Sequence, residues 1–202
     1  RSVVYAAEAG TPMVSDPGFD LARAAVAVGH PLMSAPGPSA AVTALTLSGL
    51  PADRFFFAGF LPASAGKRKS ALKELAAVPG TLIFYESPKR VAAMLRDAAD
   101  VLGGAREAAL CREMTKKFEE VLRGTLETLA TQTSERSLKG EIVVLVGQGC
   151  SENISESEID RALRAALQTH SVRDAADAVS AQLGLKRRQV YQRALELERE
   201  SE

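Results

Sequence analysis

Between residues 3 and 146, short β-prone apolar runs alternate with longer stretches whose apolar side chains recur every three or four positions. Runs at 3–7, 32–35, 55–57, 81–85, 108–111 and 142–146 read as strands. Stretches at 19–29, 40–49, 68–77 and 89–102 read as helices; in the first, Leu21, Ala24, Ala25 and Val28 share one face. Strands alternating with helices predict an α/β architecture. Turn chemistry marks the joints: Pro36-Gly37-Pro38, Gly49-Leu50-Pro51, Pro79-Gly80 and Gly103-Gly104 each close an element. The joint at 49–53 divides the pattern into two α/β units, residues 1–52 and 53–150.

After Gly149 the strand signal stops, and residues 151–202 read as a small all-α unit. Ser155 with Glu158, and Ser171 with Asp174, fit capping boxes, so helices are predicted to begin near 156 and 172. The second runs to Leu183 and stops at Gly184. A last helix from about 186 to 199 carries Val190, Ala194 and Leu197 on one face. This is the spacing of a helix-turn-helix, with Lys186, Arg187 and Arg188 where phosphate contacts are common. The same three cations also fit a solvated helix end in a small bundle, since the tail carries ten acidic and eight basic residues.

Composition narrows the picture. The chain has 202 residues, 46% apolar and 25% charged, with zero formal charge. That length and apolar share suit packed domains, and nucleic-acid binding would have to come from local patches. No apolar run approaches the roughly 20 residues of a membrane span, and no secretory leader pattern is visible, so a cytoplasmic protein is expected. Cys111 and Cys150 have no partner spacing for zinc or for a disulfide framework, and no metal site is expected.

The loops carry the candidate chemistry. Residues 9–18 hold two glycines and two prolines between an apolar run and a helical pattern. Glycine admits close backbone approach and proline fixes φ, so this is either a shaped ligand loop or an ordinary strand-to-helix turn. In Pro36-Gly37-Pro38-Ser39-Ala40-Ala41, Ser39 can cap a helix and the alanines leave room for a flat ligand. Tyr85-Glu86-Ser87-Pro88-Lys89-Arg90 puts a carboxylate and a hydroxyl at the carboxyl end of a strand, where open α/β sheets bind ligands. Residues 111–120, dense in both signs, follow another strand, and Lys139-Gly140-Glu141 sets a carboxylate and a glycine at the mouth of a third.

In this order and spacing, the segments resemble the tetrapyrrole methylase superfamily of S-adenosylmethionine-dependent methyltransferases. Gly59-Phe60-Leu61-Pro62, Tyr85-Glu86-Ser87-Pro88-Lys89-Arg90, Arg112-Glu113-Met114-Thr115-Lys116 and Lys139-Gly140-Glu141 are similar to the bacterial 16S rRNA cytidine 2'-O-methyltransferases. The tail resembles the helix-turn-helix appendage of that group. The resemblance implies two α/β domains with S-adenosylmethionine in the cleft between them, usually in a homodimer, acting on the 16S rRNA of the small ribosomal subunit. Carried over by position, the donor would touch Gly10, Thr11 and Val14, Ser39 and Ala40, Glu86 and Ser87, Met114, and the Gly140-Glu141-Ile142 corner. Glu86, Glu113 and Lys116 are the candidates for handling the acceptor hydroxyl. Lys67, Arg68, Lys69, Arg90 and Lys117 would form a phosphate-facing rim, joined by Lys186, Arg187 and Arg188.

Two departures stand out. The family has Ser-Asp before Ala-Gly-Thr-Pro, where this sequence has Ala7-Glu8. The family's opening strand, Pro-Ile-Gly-Asn loop and Ala-Glu-Asp-Thr-Arg segment have no match, so the chain is expected to be an N-terminally incomplete form with a shortened first domain. Rival readings are a small-molecule methylase acting on a tetrapyrrole, which would not need the basic rim or tail, and a non-catalytic RNA-binding remnant.

Overall fold

The computed structural model describes residues 2–149, 156–183, 185 and 187–201. Two compact units divide the chain, one ending at Gln148 and the other beginning at Gly149.

The first unit contains helices α1 (Phe19–Ala27), α2 (Ala40–Ser48), α3 (Ala65–Leu75), α4 (Val91–Leu102) and α5 (Leu126–Ser134). Its strands are β1 (Phe55–Phe60), β2 (Thr81–Glu86), β3 (Glu107–Arg112), β4 (Glu120–Thr125) and β5 (Ile142–Val146), in the spatial order β1-β2-β5-β3-β4. β1 and β2 are parallel, whereas β5 runs antiparallel to both β2 and β3, and β4 antiparallel to β3. β2 and β5 read as nearly unbroken apolar runs because both faces of the sheet centre are covered.

Alternation sorts the side chains. Leu82, Phe84, Leu110 and Val144 pack beneath α3, α4 and α5, joined by Leu72, Met94, Leu95 and Leu129. Ile83, Ala109, Cys111, Val143 and Leu145 face the other way, under Ala41, Ala44 and Leu45 of α2. Buried Val91, Met94, Leu95 and Ala98 lie at helical spacing along one face of α4, which ends at Gly103 with φ 99°. Each fully buried leucine or phenylalanine in this core contributes about 1.5–3 kcal/mol of transfer free energy.

The α/β class read from the sequence holds, but two of its strands do not form. Residues 3–7 and 32–35 are extended without ladder partners among the described residues, and Val3, Val4, Leu32 and Met33 are exposed. β-propensity is realised only where a neighbouring strand takes the backbone hydrogen bonds. Conversely, the sequence pattern left β4 and α5 unassigned. β4 is an edge strand that pairs only with β3, and α5 is rich in threonine, a weak helix former held here by its packing and by the Thr125 cap on the Thr128 N–H.

The second unit contains α6 (Glu156–Leu167), α7 (Val172–Leu183) and α8 (Arg187–Ser201), packed around Leu163, Ala176, Val179, Val190, Ala194 and Leu197. The Ser171 capping box forms: its hydroxyl accepts the Asp174 N–H at 3.3 Å and donates to the Asp174 carboxylate at 2.7 Å. Ser155, Gly184, Lys186 and Cys150 lie outside the described residues.

Candidate functional site

Because β5 is antiparallel to both β2 and β3, strands β1, β2 and β3 all run the same way, and their carboxyl ends meet at one end of the sheet. There the register aligns Glu86, Ile142 and Arg112 side by side. The segments at 59–62, 85–90, 112–116 and 139–142, scattered in the sequence, therefore form one loop cluster.

The first two loops are bound to each other. The Thr11 N–H and hydroxyl both donate to the Pro38 carbonyl, at 3.0 and 3.1 Å. A Cβ on Gly10 would sit 3.4 Å from that carbonyl, and one on Gly37 would sit 3.4 Å from the Thr11 hydroxyl. Met13 and Ser15 hold positive φ of 72° and 57°, conformations that side-chain-bearing residues keep only when their surroundings impose them. This loop approaches the end of β1, where a Cβ on Gly59 would lie 3.6 Å from the Ser15 hydroxyl. Val14 and Ala40 are exposed, and Ser39 occupies the N-cap position of α2 in extended backbone without the side-chain capping hydrogen bond the sequence suggests.

Tyr85 links these loops to the sheet, and motif reading passed over it. Its ring is half-buried on the α2 face, edge-on to Phe57 at 4.8 Å and to Phe60 at 5.8 Å. Burial pushes its phenol above the ordinary value, against polar contacts with the Ala41 backbone and the Ser39 side chain. The signal was available in the period-two alternation from Ile83, which sends Tyr85 and Glu86 to opposite faces.

The third wall is a charged corner. The Glu113 N–H donates to the Glu141 carbonyl at 3.0 Å, and the Glu141 N–H returns to the Glu113 carboxylate at 2.9 Å. Lys116 Nζ bridges the Glu113 and Glu141 carboxylates, 3.0 Å from each. Glu113 and Thr115 lie at φ 49° and 64°, and Gly140 lies at φ 88° where a Cβ would collide with the Glu113 side chain at 2.3 Å. The backbone N–H of Glu141, then Lys116, hold the Glu113 carboxyl below the usual carboxylate range. Hydrogen bonds to Glu141 and Glu113 raise the Lys116 ammonium above its usual value, so at neutral pH it is a cation. Met114 packs on the same side of the sheet as Tyr85.

Several expected roles change. The Glu86 carboxylate is buried, accepts the Ser87 N–H at 2.8 Å, and pairs with Arg90 at 3.1 Å on the α3–α5 face. It fixes the turn into α4 and does not open toward the α2-side loops, so it is not placed to take a proton there. Ile142 is buried in the core on that same face and offers the site only its backbone. Arg68 is no rim residue: at 5% exposure it pairs with Asp97 at 2.6 Å and donates to the Ala63 carbonyl. Lys69 is tied to Asp97 and Asp100, and Arg90 donates to the Leu61 carbonyl besides Glu86. Lys67 and Lys117 are exposed. In the tail, Arg187 pairs with Asp177 and lies over the Tyr191 ring, while Arg188 is exposed.

A separate groove of about 700 Å³ runs between α4 and α5, lined by Arg96, Asp100, Glu127 and Thr131 among others. It gathers none of the glycine loops, and the loop cluster is the candidate site.

Comparison with known proteins identifies the family. Residues 1–130 match the model of the Tetrapyrrole (Corrin/Porphyrin) Methylases, and residues 153–198 match the RsmI C-terminal HTH domain. The chain is 45% identical over 198 residues to Ribosomal RNA small subunit methyltransferase I of Mesorhizobium japonicum, covering 98% of this chain and 67% of that one. It is 44% identical to the protein of the same name from Xylella fastidiosa, covering 95% and 71%. Among solved structures, the methyltransferase CobJ shares the fold, with a TM-score of 0.53 and 20% identity over 69% of this chain and 62% of that one.

Proposed function

The chain belongs to the tetrapyrrole methylase family, on the branch of the small-subunit ribosomal RNA methyltransferases I, and we propose that it methylates the 2'-oxygen of a cytidine ribose in 16S rRNA. The observation that carries the proposal is the convergence of four loops at one end of the sheet, joined in the same chain to a matched helix-turn-helix tail. When bound, S-adenosylmethionine supplies an activated methyl carbon on a sulfonium. The loops fit that group chemically: Gly10 at φ 71° takes a backbone conformation that side-chain-bearing residues rarely adopt, and Ala40 is small and exposed. Thr11, Val14, Ser39, Ser87, Met114, Gly140 and Glu141 would hold it, with Glu86 and Ile142 contributing backbone only.

The protein's own task is to align an acceptor hydroxyl and manage its charge. Holding reactants at near-attack distance supplies about 7–11 kcal/mol toward such a barrier. An ammonium has three N–H donors. Glu113 and Glu141 engage Lys116, and its third N–H, which has no partner among the described residues, would meet the acceptor oxygen while the hydroxyl proton passes to solvent water. Glu113, held low in pKa, is a weak base and serves to position Lys116. RNA meets Lys67, Lys117 and, from the tail, Arg188.

The working enzyme is cytoplasmic and homodimeric in this reading. Exposed Phe19, Val26, Val28, Leu32 and Met33 offer apolar surface for the pairing. No described helix is long and apolar enough to cross a membrane. Labelled methyl transfer tests the proposal: the expected product is a 2'-O-methylcytidine in small-subunit RNA. Transfer to a porphyrinogen with none to RNA would overturn it.

A further inference from the structure

Two aromatic rings stand in solvent at the end of the sheet that carries the loop cluster. Phe60, 57% exposed, ends β1, and Phe118, 64% exposed, sits in the loop that follows β3. β2 and β5 lie between β1 and β3, whose carboxyl ends are three strand spacings apart, about 14 Å, with the charged corner at the β5 and β3 ends.

Neither ring is loosely placed. Phe60 leans edge-on against Tyr85, and the backbone just beyond it is gripped twice, by Arg90 on the Leu61 carbonyl and by Arg68 on the Ala63 carbonyl. Both arginines are themselves fixed by carboxylates, Glu86 and Asp97. The loop bearing Phe118 is closed by Glu119, whose carboxylate accepts the Thr115 N–H at 2.6 Å, and by the Glu119 N–H on the Lys116 carbonyl. A cation accompanies the Phe118 ring. Lys117 Nζ lies 5.7 Å from the Phe118 centroid, and exposed Lys67 occupies the first turn of α3, just beyond the gripped loop.

Phe55 and Phe56 are also exposed, toward the other end of β1, whereas Phe60 and Phe118 stand on braced backbone at the loop-cluster end, with Lys117 over the Phe118 ring. These two match the chemistry that takes unpaired bases: an aromatic face to stack on and a cation for the adjoining phosphate. We propose that Phe60 and Phe118 form a stacking clamp that receives unpaired nucleobases on either side of the reacting ribose, so that the substrate is RNA presented as a single strand. The inference rests on the RNA methylation reading and specifies the form of RNA that the site accepts.

The test compares wild-type protein with Phe60→Leu, Phe118→Leu and the double variant, which keep apolar bulk but lose the π face. Binding to a short cytidine-containing single strand, and to a duplex of the same sequence, is followed by fluorescence anisotropy across a salt series. Each substitution is expected to weaken single-strand binding about fivefold or more, and the double variant further, with little change on duplex. The salt slope should stay at the wild-type value because no cation is removed. Tryptophan at either position should restore binding, and donor affinity measured by calorimetry should not move in Phe118→Leu. Unchanged single-strand affinity in the double variant overturns the clamp while leaving RNA methylation standing, and so does an equal loss on both RNA forms. A wild-type chain that binds neither RNA and methylates a porphyrinogen overturns both.

Discussion

The two faces of the sheet are built from alternate residues of the same strands, yet they do different work. On the α3–α5 face, three helices cover the strands, and even the charges are closed in, with Arg68 and Asp97 paired at 6% and 12% side-chain exposure. On the other face, the nine-residue α2 covers only part, and Tyr85, Phe57 and Met114 are left half-buried beside loops held at positive φ. The closed face stores stability, and the open face carries the candidate site. Arg90 and Glu86 connect them, since they belong to the closed face but brace the turn at the mouth of the site.

That contrast can be broken from either side. The largest effect is expected from Arg68→Ala, which removes the closer of Asp97's two cations and leaves Lys69 at 3.4 Å: up to about 3–5 kcal/mol of stability should be lost in chemical denaturation. A loss under about 1 kcal/mol would mean that Arg68 is a surface residue after all. Lys116→Met should do the reverse, leaving the denaturation midpoint in place while kcat for methyl transfer drops about a hundredfold. Gly140→Ala imposes a side chain at φ 88° against Glu113. It should cost about 1–2 kcal/mol and weaken donor binding measured by calorimetry. Tyr85→Phe removes only the contacts with Ser39 and the Ala41 backbone. A stability change near 1 kcal/mol is expected, with a few-fold loss of donor affinity.

The smallest effect is on pH dependence. Glu113 is depressed below 4.5, so its contribution to the corner is present above that value and fades as pH falls through the folded pKa. Lys116 is raised above 10.5, so its contribution is present below that value and fades as pH climbs past the folded pKa. The corner's interactions should therefore hold throughout the interval between those limits. A titration near neutrality, seen by NMR on Lys116 Nζ, would contradict the observed pairing.

Much of the fold was legible because it rests on local rules. The apolar runs of β2 and β5, the periodic face of α4 and the Ser171 box each follow from neighbours in the chain, and each is found. Strands 3–7 and 32–35 were misread for the complementary reason: a strand exists only with a partner, which propensity does not supply. Among site residues, the glycine loops and the Glu113-Lys116-Gly140-Glu141 corner could be located as motifs, but the roles of Glu86 and Arg68 could not. A carboxylate at a strand end and an arginine in a basic run look alike whether they face solvent or a buried counter-ion.

The sequence by itself determined the α/β class, the change to helices after Gly149 and the loops that matter, because periodicity, turn residues and caps act over a few residues. Tertiary structure alone decided which charges are buried against a counter-ion, that the sheet is covered on both faces, and that 59–62, 85–90, 112–116 and 139–142 are neighbours. Those outcomes depend on strand order and on desolvation by distant residues, and neither is encoded in any one stretch of chain.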